Sequence, residues 1–581
     1  MKPLLALTAI LCLLSCKPKE ESEPKEFTTV FESSKGEATA TYQQTIDFYT
    51  TLAREFPEIN IRTLGTTDSG HPLHIVTYNA DAQFNFHKIG QEKSVLLINN
   101  GIHPGESDGI DASMLLYRDL ALKKITPPKH TVLVTIPVYN IGGALARNST
   151  SRANQNGPIS YGFRGNAKNY DLNRDFIKGD TKNAHTFFNI FHLVKPDIFI
   201  DTHVSNGADY QYTITHLFTQ HNKLDGELGK YLHQEMMPTL EASLKNNGWD
   251  ITPYVNIFNT VPEKGFPQFM DYPRYSTGYT ALWNTLGLMV ETHMLKPYKQ
   301  RVKGTYELMK QLLDLAERDH QKIKQLRESS FQWYLEKTTY PLQWAIDTTQ
   351  SSVLKFKGYA ADTLTSEVTG FPRLKYDRNR PFTKEVPYHN YYVPTKEVEI
   401  PKAYLIKKGW DNVIKLLESN QINFEILKES RTYQVEKYTI ESYETYQSSY
   451  EGHFPHYNTK AIASTEKIEF TPGDILVPTN QKGLRYLLET LEPEATDSFF
   501  NWNFFDAILQ RKEGFSPYVF EDIALQLLKE NPELKAGFLL KKEQDPQFSS
   551  NWYAQLDWIY QQSKPYDPYH MQYPVYRLLK D

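Results

Sequence analysis

Four stretches of the chain each contain a continuous apolar run: "SVLLINN" (94–100), "TVLVTIPVYN" (131–140), "DIFIDTH" (197–203) and "LGLMVETH" (286–293). A strand with one wet face alternates apolar and polar residues. A continuous apolar run bounded by turn residues fits a strand covered on both faces. Between these runs, "SDGIDASMLLYRDLAL" and "NAHTFFNIFHLVK" have apolar residues spaced three or four apart, which predicts helices. The alternation predicts an α/β fold over residues 38–337: a mixed, mainly parallel central sheet flanked by helices. A long charged helical pattern from Pro297 to Lys337 closes it. Residues 338–400 hold shorter alternating runs with prolines and tyrosines, predicting a β-rich linker segment. Residues 401–581 return to strand–helix units such as "AYLIKKGWDNVIKLLES", predicting a C-terminal α/β module.

The N-terminus changes the picture of where this fold works. Met1-Lys2 precedes an apolar run, Leu4 to Leu14, broken only by Thr8. It is too short to span a bilayer and fits a signal peptide over residues 1–15. Leu13-Leu14-Ser15-Cys16 resembles a bacterial lipobox, which implies cleavage before Cys16, lipidation of its thiol and a tether over residues 16–37. The expected protein is exported, periplasmic or at the cell surface, and anchored to a bacterial membrane through its lipid. The only two cysteines, Cys12 and Cys16, both lie in this leader. The mature fold therefore has no disulfide, and any metal must be bound by histidine and carboxylate. No inhibitory propeptide stands out before the α/β region.

At 581 residues the chain calls for two or more domains. A formal net charge of −5 gives no reason to expect nucleic-acid binding. Aromatic residues make up 13% of the chain, with 38 tyrosines, which suits carbohydrate or peptide contact and better suits an aromatic-rich core. Nothing in the pattern indicates an oligomeric state.

In open α/β sheets, ligands bind at the carboxyl ends of the strands. The first apolar run ends in "NNGIHPGES" (99–107), where Pro104-Gly105 favours a tight turn carrying His103 and Glu106. The third run ends in His203 and the fourth reaches Glu291. Two imidazoles and one carboxylate match the His₂Glu set of catalytic zinc, which leaves a coordination position open. Glu291 is then a spare carboxylate able to accept a proton. Asp201 either orients a histidine or caps the strand end. The other histidines, among them His185, His192, His216, His221, His233 and His293, share no spacing and read as surface or packing residues.

"HPGE" at 103–106, "DLNRDF" at 171–176, "DTH" at 201–203 and "VETH" at 290–293 stand in the order seen in zinc carboxypeptidases of the carboxypeptidase A-like family, which residues 40 to 320 resemble. The resemblance implies that His103, Glu106 and His203 hold one zinc ion and that Glu291 is general base and acid. It implies that Asn173 and Arg174 grip the carboxylate of a peptide substrate with a free C-terminus. An upstream arginine would stabilise the oxyanion. Among Arg147, Arg152 and Arg164, the Arg-x-Asn spacing in "SRANQNGP" favours Arg152. The family's mobile tyrosine has three candidates, Tyr272, Tyr275 and Tyr279. Asp175 replaces the family's usual asparagine, and its charge would weaken the hold of Arg174 or favour an amine-bearing substrate. The implied activity is zinc-dependent hydrolysis of the C-terminal peptide bond. Two alternatives remain: a zinc amidase or deacylase of the aspartoacylase-like sort, and a lipid-anchored binding protein without catalysis.

Overall fold

The computed structural model describes residues 27–580. The expected leader, with Cys16 where a lipid is expected, lies outside the described residues. An eight-stranded sheet is built from β1 (Ile59–Thr66), β2 (Pro72–Tyr78), β3 (Ser94–Asn99), β4 (Thr131–Ile136), β5 (Ile198–Ser205), β6 (Ile214–Phe218), β7 (Ile251–Pro253) and, beyond the two-residue β8 (Phe266–Pro267), β9 (Leu286–His293). Its order is β1-β2-β4-β3-β5-β9-β6-β7. The four apolar runs form its parallel centre, β4-β3-β5-β9. The outer pairs β1–β2, β2–β4 and β9–β6 are antiparallel. The mixed, mainly parallel α/β class read from the sequence is the class observed.

Every residue of β3 and β4 is buried, as a sheet with helices on both faces requires. Along β5 the pleat sorts side chains to opposite faces. Phe199, Asp201 and His203 share the face lined by the helices Lys182–Val194 and Ser276–Ala281. There the Phe199 ring meets Phe187, with centroids 6.0 Å apart, and Asp201 accepts a hydrogen bond from the Ser276 hydroxyl. The long helix Tyr298–Glu336 packs beside the helix Asp108–Ala121. Burial of each Leu, Ile or Phe side chain in this core contributes roughly 1.5–3 kcal/mol against chain entropy.

Beyond the long helix come β10 (Thr339–Ile346), β11 (Ser352–Thr365), β12 (Pro372–His389) and β13 (Tyr392–Glu399). These pair as β10–β13 and as the hairpin β11–β12, whose far end joins β8. The C-terminal sheet comprises β14 (Ala403–Ile406), β15 (Glu425–Ile426), β16 (Arg431–Thr445), β17 (His456–Phe470), β18 (Ile475–Pro478) and β19 (Val575–Leu578). Its order is β15-β18-β14-β19-β16-β17, antiparallel at every pair. One hydrophobic core runs from the first sheet into this one and includes Leu97, Trp283, Tyr340, Leu487 and Phe499. Between them lies the fully buried helix Leu484–Leu491. Its Arg485 donates to the Asn284 side chain at 3.0 Å and to the Lys223 carbonyl at 2.9 Å, and its Glu489 accepts from the Tyr340 hydroxyl at 2.9 Å.

Candidate active site

At the carboxyl end of β3 the chain turns sharply, and the Glu106 amide donates to the His103 carbonyl at 2.8 Å. The turn needs Gly105: a Cβ there would stand 2.6 Å from Cδ of Arg152. It faces His203 on β5. Ligand atoms of His103, Glu106 and His203 all lie within 4.8 Å of one another, and all three residues are buried. Among the described residues this is the one such cluster.

The orientation of the imidazoles carries the chemistry. Nδ1 of His103 is 3.3 Å from Oε1 of Glu106, and Nδ1 of His203 is 3.1 Å from Oε2. Both Nε2 atoms turn away, His103 to Asp171 Oδ1 at 2.9 Å and His203 to Asp201 Oδ2 at 2.9 Å. A carboxylate behind each ring fixes its tautomer and raises the basicity of the nitrogen that faces inward. Asp201 thus orients a histidine, one of the two roles left open by the sequence. Two inward Nδ1 atoms and a shared carboxylate are a donor set that suits zinc.

The charges agree with that fit. Burial opposes ionisation of Glu106, yet Arg152 and His103 outweigh it and hold the carboxyl well below its ordinary value. Burial also opposes a charge on His203, yet Asp201 and Glu106 raise its pKa well above the usual histidine range. The cluster attracts positive charge. Glu291 pairs with His203 in the β5–β9 register, so the two side chains share one face, about 4.8 Å apart along the ladder. Burial raises the Glu291 carboxyl to about 8, with Glu106 and Asp201 adding like-charge repulsion and His203 opposing it.

Of the three arginines weighed from the sequence, Arg147 is structural. It donates to the backbone carbonyls of Thr39, Ala40 and Ser160. Arg152 lies 2.9 Å from Glu106 Oε1. Arg164 is there too, 3.4 Å from His103 Nδ1 and 3.7 Å from Glu106 Oε1, while its other nitrogens grip Asp171. The Arg-x-Asn spacing that pointed to Arg152 recurs at Arg164-Gly165-Asn166, and both arginines reach the cluster.

Asn173 is buried, with Oδ1 accepting the Ser276 amide at 3.2 Å. Arg174 lies over the Tyr275 ring, 4.7 Å from its centroid. Asp175, expected from the sequence to disturb Arg174, bonds elsewhere. Its carboxylate is turned into the protein, where it accepts from Lys178 Nζ at 2.8 Å and from the Thr181 hydroxyl at 2.6 Å. Tyr279 is a core residue whose hydroxyl donates to Asn420 at 2.6 Å, and Tyr272 adjoins Thr496. Tyr275 is the candidate that touches Arg174. His293 is held by Asp209 at 3.1 Å and its ring lies tilted against Tyr210, centroids 4.3 Å apart, a packing role.

Sequence reasoning missed Asp171, although it stands in the quoted "DLNRDF". It also missed Tyr254, whose phenol is pushed above its ordinary value by burial and then by the charges of Glu291 and Glu106. No spacing signal marks Tyr254. It sits after β7, a three-residue strand.

Fold and site together define an α/β protein with a His–Glu–His candidate metal centre and a second carboxylate, Glu291, beside it. No protein-family model matches the chain. The chain is similar to Carboxypeptidase 2 of Trichophyton rubrum, 22% identical over 429 residues that span 69% of this chain and 72% of the relative. The resemblance to the zinc carboxypeptidases therefore has a named counterpart. A solved metallo-carboxypeptidase from Burkholderia cenocepacia aligns with 48% of this chain and 70% of its own, with a TM-score of 0.36 and 16% identity. The carboxypeptidase A of Helicoverpa armigera aligns over 48% and 73%, with a TM-score of 0.36 and 13% identity.

Proposed function

We propose that the chain is a zinc-dependent metallocarboxypeptidase that removes the C-terminal residue of peptides. The observation that carries this reading is the convergence of His103, Glu106 and His203 beside Glu291. A zinc ion held by those three residues would supply Lewis acidity and a water of lowered pKa. Glu291 accepts the proton of the attacking water and passes it to the leaving amine. Arg152, with Arg164 beside it, stabilises the oxyanion. Arg174, set by Asn173 and by the Tyr275 ring, binds the carboxylate of the departing residue through its guanidinium fork.

The test is a metal analysis of the purified chain with paired assays on peptides bearing free and amidated C-termini. One zinc per chain and chelator-sensitive cleavage of the free acids alone are expected. Equal cleavage of both peptides would favour the amidase reading, and bound zinc with no turnover would favour the binding protein. Export and lipid anchoring through Cys16 rest on the Leu13–Cys16 motif. Fatty-acid labelling that persists in a Cys16→Ser chain would refute them.

A further inference from the structure

The hairpin that joins β16 to β17 ends against the substrate side of the candidate site. Its tip, Tyr450–His453, is a two-residue turn closed by reciprocal backbone bonds of 2.8 and 3.1 Å. Glu451 has φ 50° and Gly452 φ 80°, the left-handed pair of a type I′ turn. Asn, Asp or Gly is favoured at the first of those positions, and glutamate there is strained. The strain has a counterpart: Glu451 Oε2 accepts the Asp171 amide at 2.7 Å. Gly452 packs so closely that a Cβ would lie 2.7 Å from the Tyr170 hydroxyl. His453 bonds Asp180 at 2.8 Å. Tyr450 adjoins Arg174 and favours its charge, and its ring stacks on Trp502 with centroids 6.1 Å apart.

Arg174 thus lies over one tyrosine, Tyr275 from the first module, and adjoins a second, Tyr450 from the C-terminal module. We infer that Tyr450 is a substrate-binding residue: its hydroxyl accepts from Arg174 and donates its proton to the terminal carboxylate of the peptide. Glu451 is a positioning residue that pins the tip to Asp171. The C-terminal module then completes the pocket for the departing residue. This inference rests on the carboxypeptidase reading.

The experiment measures equilibrium binding, by calorimetry, of one short peptide in free-acid and amidated forms to the zinc-loaded Glu291→Gln chain, which binds without turnover. The parent is expected to prefer the free acid. Adding Tyr450→Phe should weaken the free acid about tenfold, the range for a hydrogen bond to a charged group, and leave the amide unchanged. Glu451→Gln keeps an acceptor for the Asp171 amide and should bind as the parent does, whereas Glu451→Ala should lose free-acid affinity. Free-acid binding by Tyr450→Phe within twofold of the parent would overturn the inference, and so would equal loss for both peptides. No preference for the free acid in the parent would instead overturn the carboxypeptidase reading.

Discussion

Replacing Asp171 by asparagine tests the site without touching a metal ligand. Oδ1 of Asp171 accepts from His103 Nε2 and from the Asn173 amide, each at 2.9 Å, and Oδ2 accepts from Arg164 Nε at 3.0 Å and NH2 at 2.8 Å. Asparagine keeps the shape but has one acceptor where the carboxylate had two. If its oxygen serves His103, its amide nitrogen faces Arg164, donor against donor. If it flips, the same conflict falls on His103. In either pose the negative charge that makes the inward Nδ1 of His103 a strong donor is gone. Loss of such a partner lowers metal affinity about 10- to 100-fold, or roughly 1.4–2.7 kcal/mol. The lower end is expected, because one hydrogen bond to His103 survives in one pose. Arg164, released from Asp171, is also freer to approach Glu106, now 3.7 Å away, and to compete with a cation there. The assay is zinc competition against a chelator of known affinity, with far-UV circular dichroism to show that the variant folds. A folded variant whose zinc affinity stays within about twofold of the parent would refute the claim that Asp171 tunes His103.

Glu291→Gln should lower kcat about 10²- to 10⁴-fold, the usual worth of a general base, while one zinc per chain remains bound; full turnover would remove Glu291 from the mechanism. Glu489 provides a prediction about stability. Burial raises its pKa from 4.5 to about 7 in the folded chain. The unfolded chain therefore releases this proton first as pH rises, and stability falls from pH 4.5 to about 7 and is level above. Glu489→Gln, which still accepts from Tyr340, should flatten that slope and stabilise the chain at pH 8 by up to about 3 kcal/mol. Chemical denaturation at pH 5, 6.5 and 8 reads it, and an unchanged slope would sink the assignment.

What the sequence revealed and what it hid follow from distance and from the kind of signal. His103, Glu106, His203 and Glu291 were legible because each lies at or just beyond the end of an apolar run, and a parallel sheet aligns such ends at one edge. The helices at 108–121 and 182–194 were legible from their period. The choice between Arg152 and Arg164 was not. Both lie in a long connection without strand or helix, where one Arg-x-Asn spacing occurs twice and only the folded path shows both arginines reaching Glu106. The expectation about Asp175 took adjacency in sequence for adjacency of side chains. The chain turns its carboxylate inward to Lys178 and Thr181. Tyr450 and Glu451 could not be found at all, since they meet Arg174 and Asp171 across more than 270 residues of chain.

The remote module and the metal centre are tied through one residue. Asp171 receives His103 and two arginine nitrogens on its side chain, and gives its own amide to Glu451. A displacement of the β16–β17 tip therefore moves the group that orients His103, a proposed metal ligand, and, through Tyr450, the arginine proposed to bind the substrate carboxylate. Buried acceptors left without their donors cost about 1–3 kcal/mol each, so the tip and the site favour being docked together. The continuous core and the buried Arg485 bonds oppose separation at the other end of the interface. A chain truncated after the long helix would lose Tyr450, Glu451 and a wall of its own core at once. The two halves are one catalytic unit in this reading, and the second half shapes the substrate pocket.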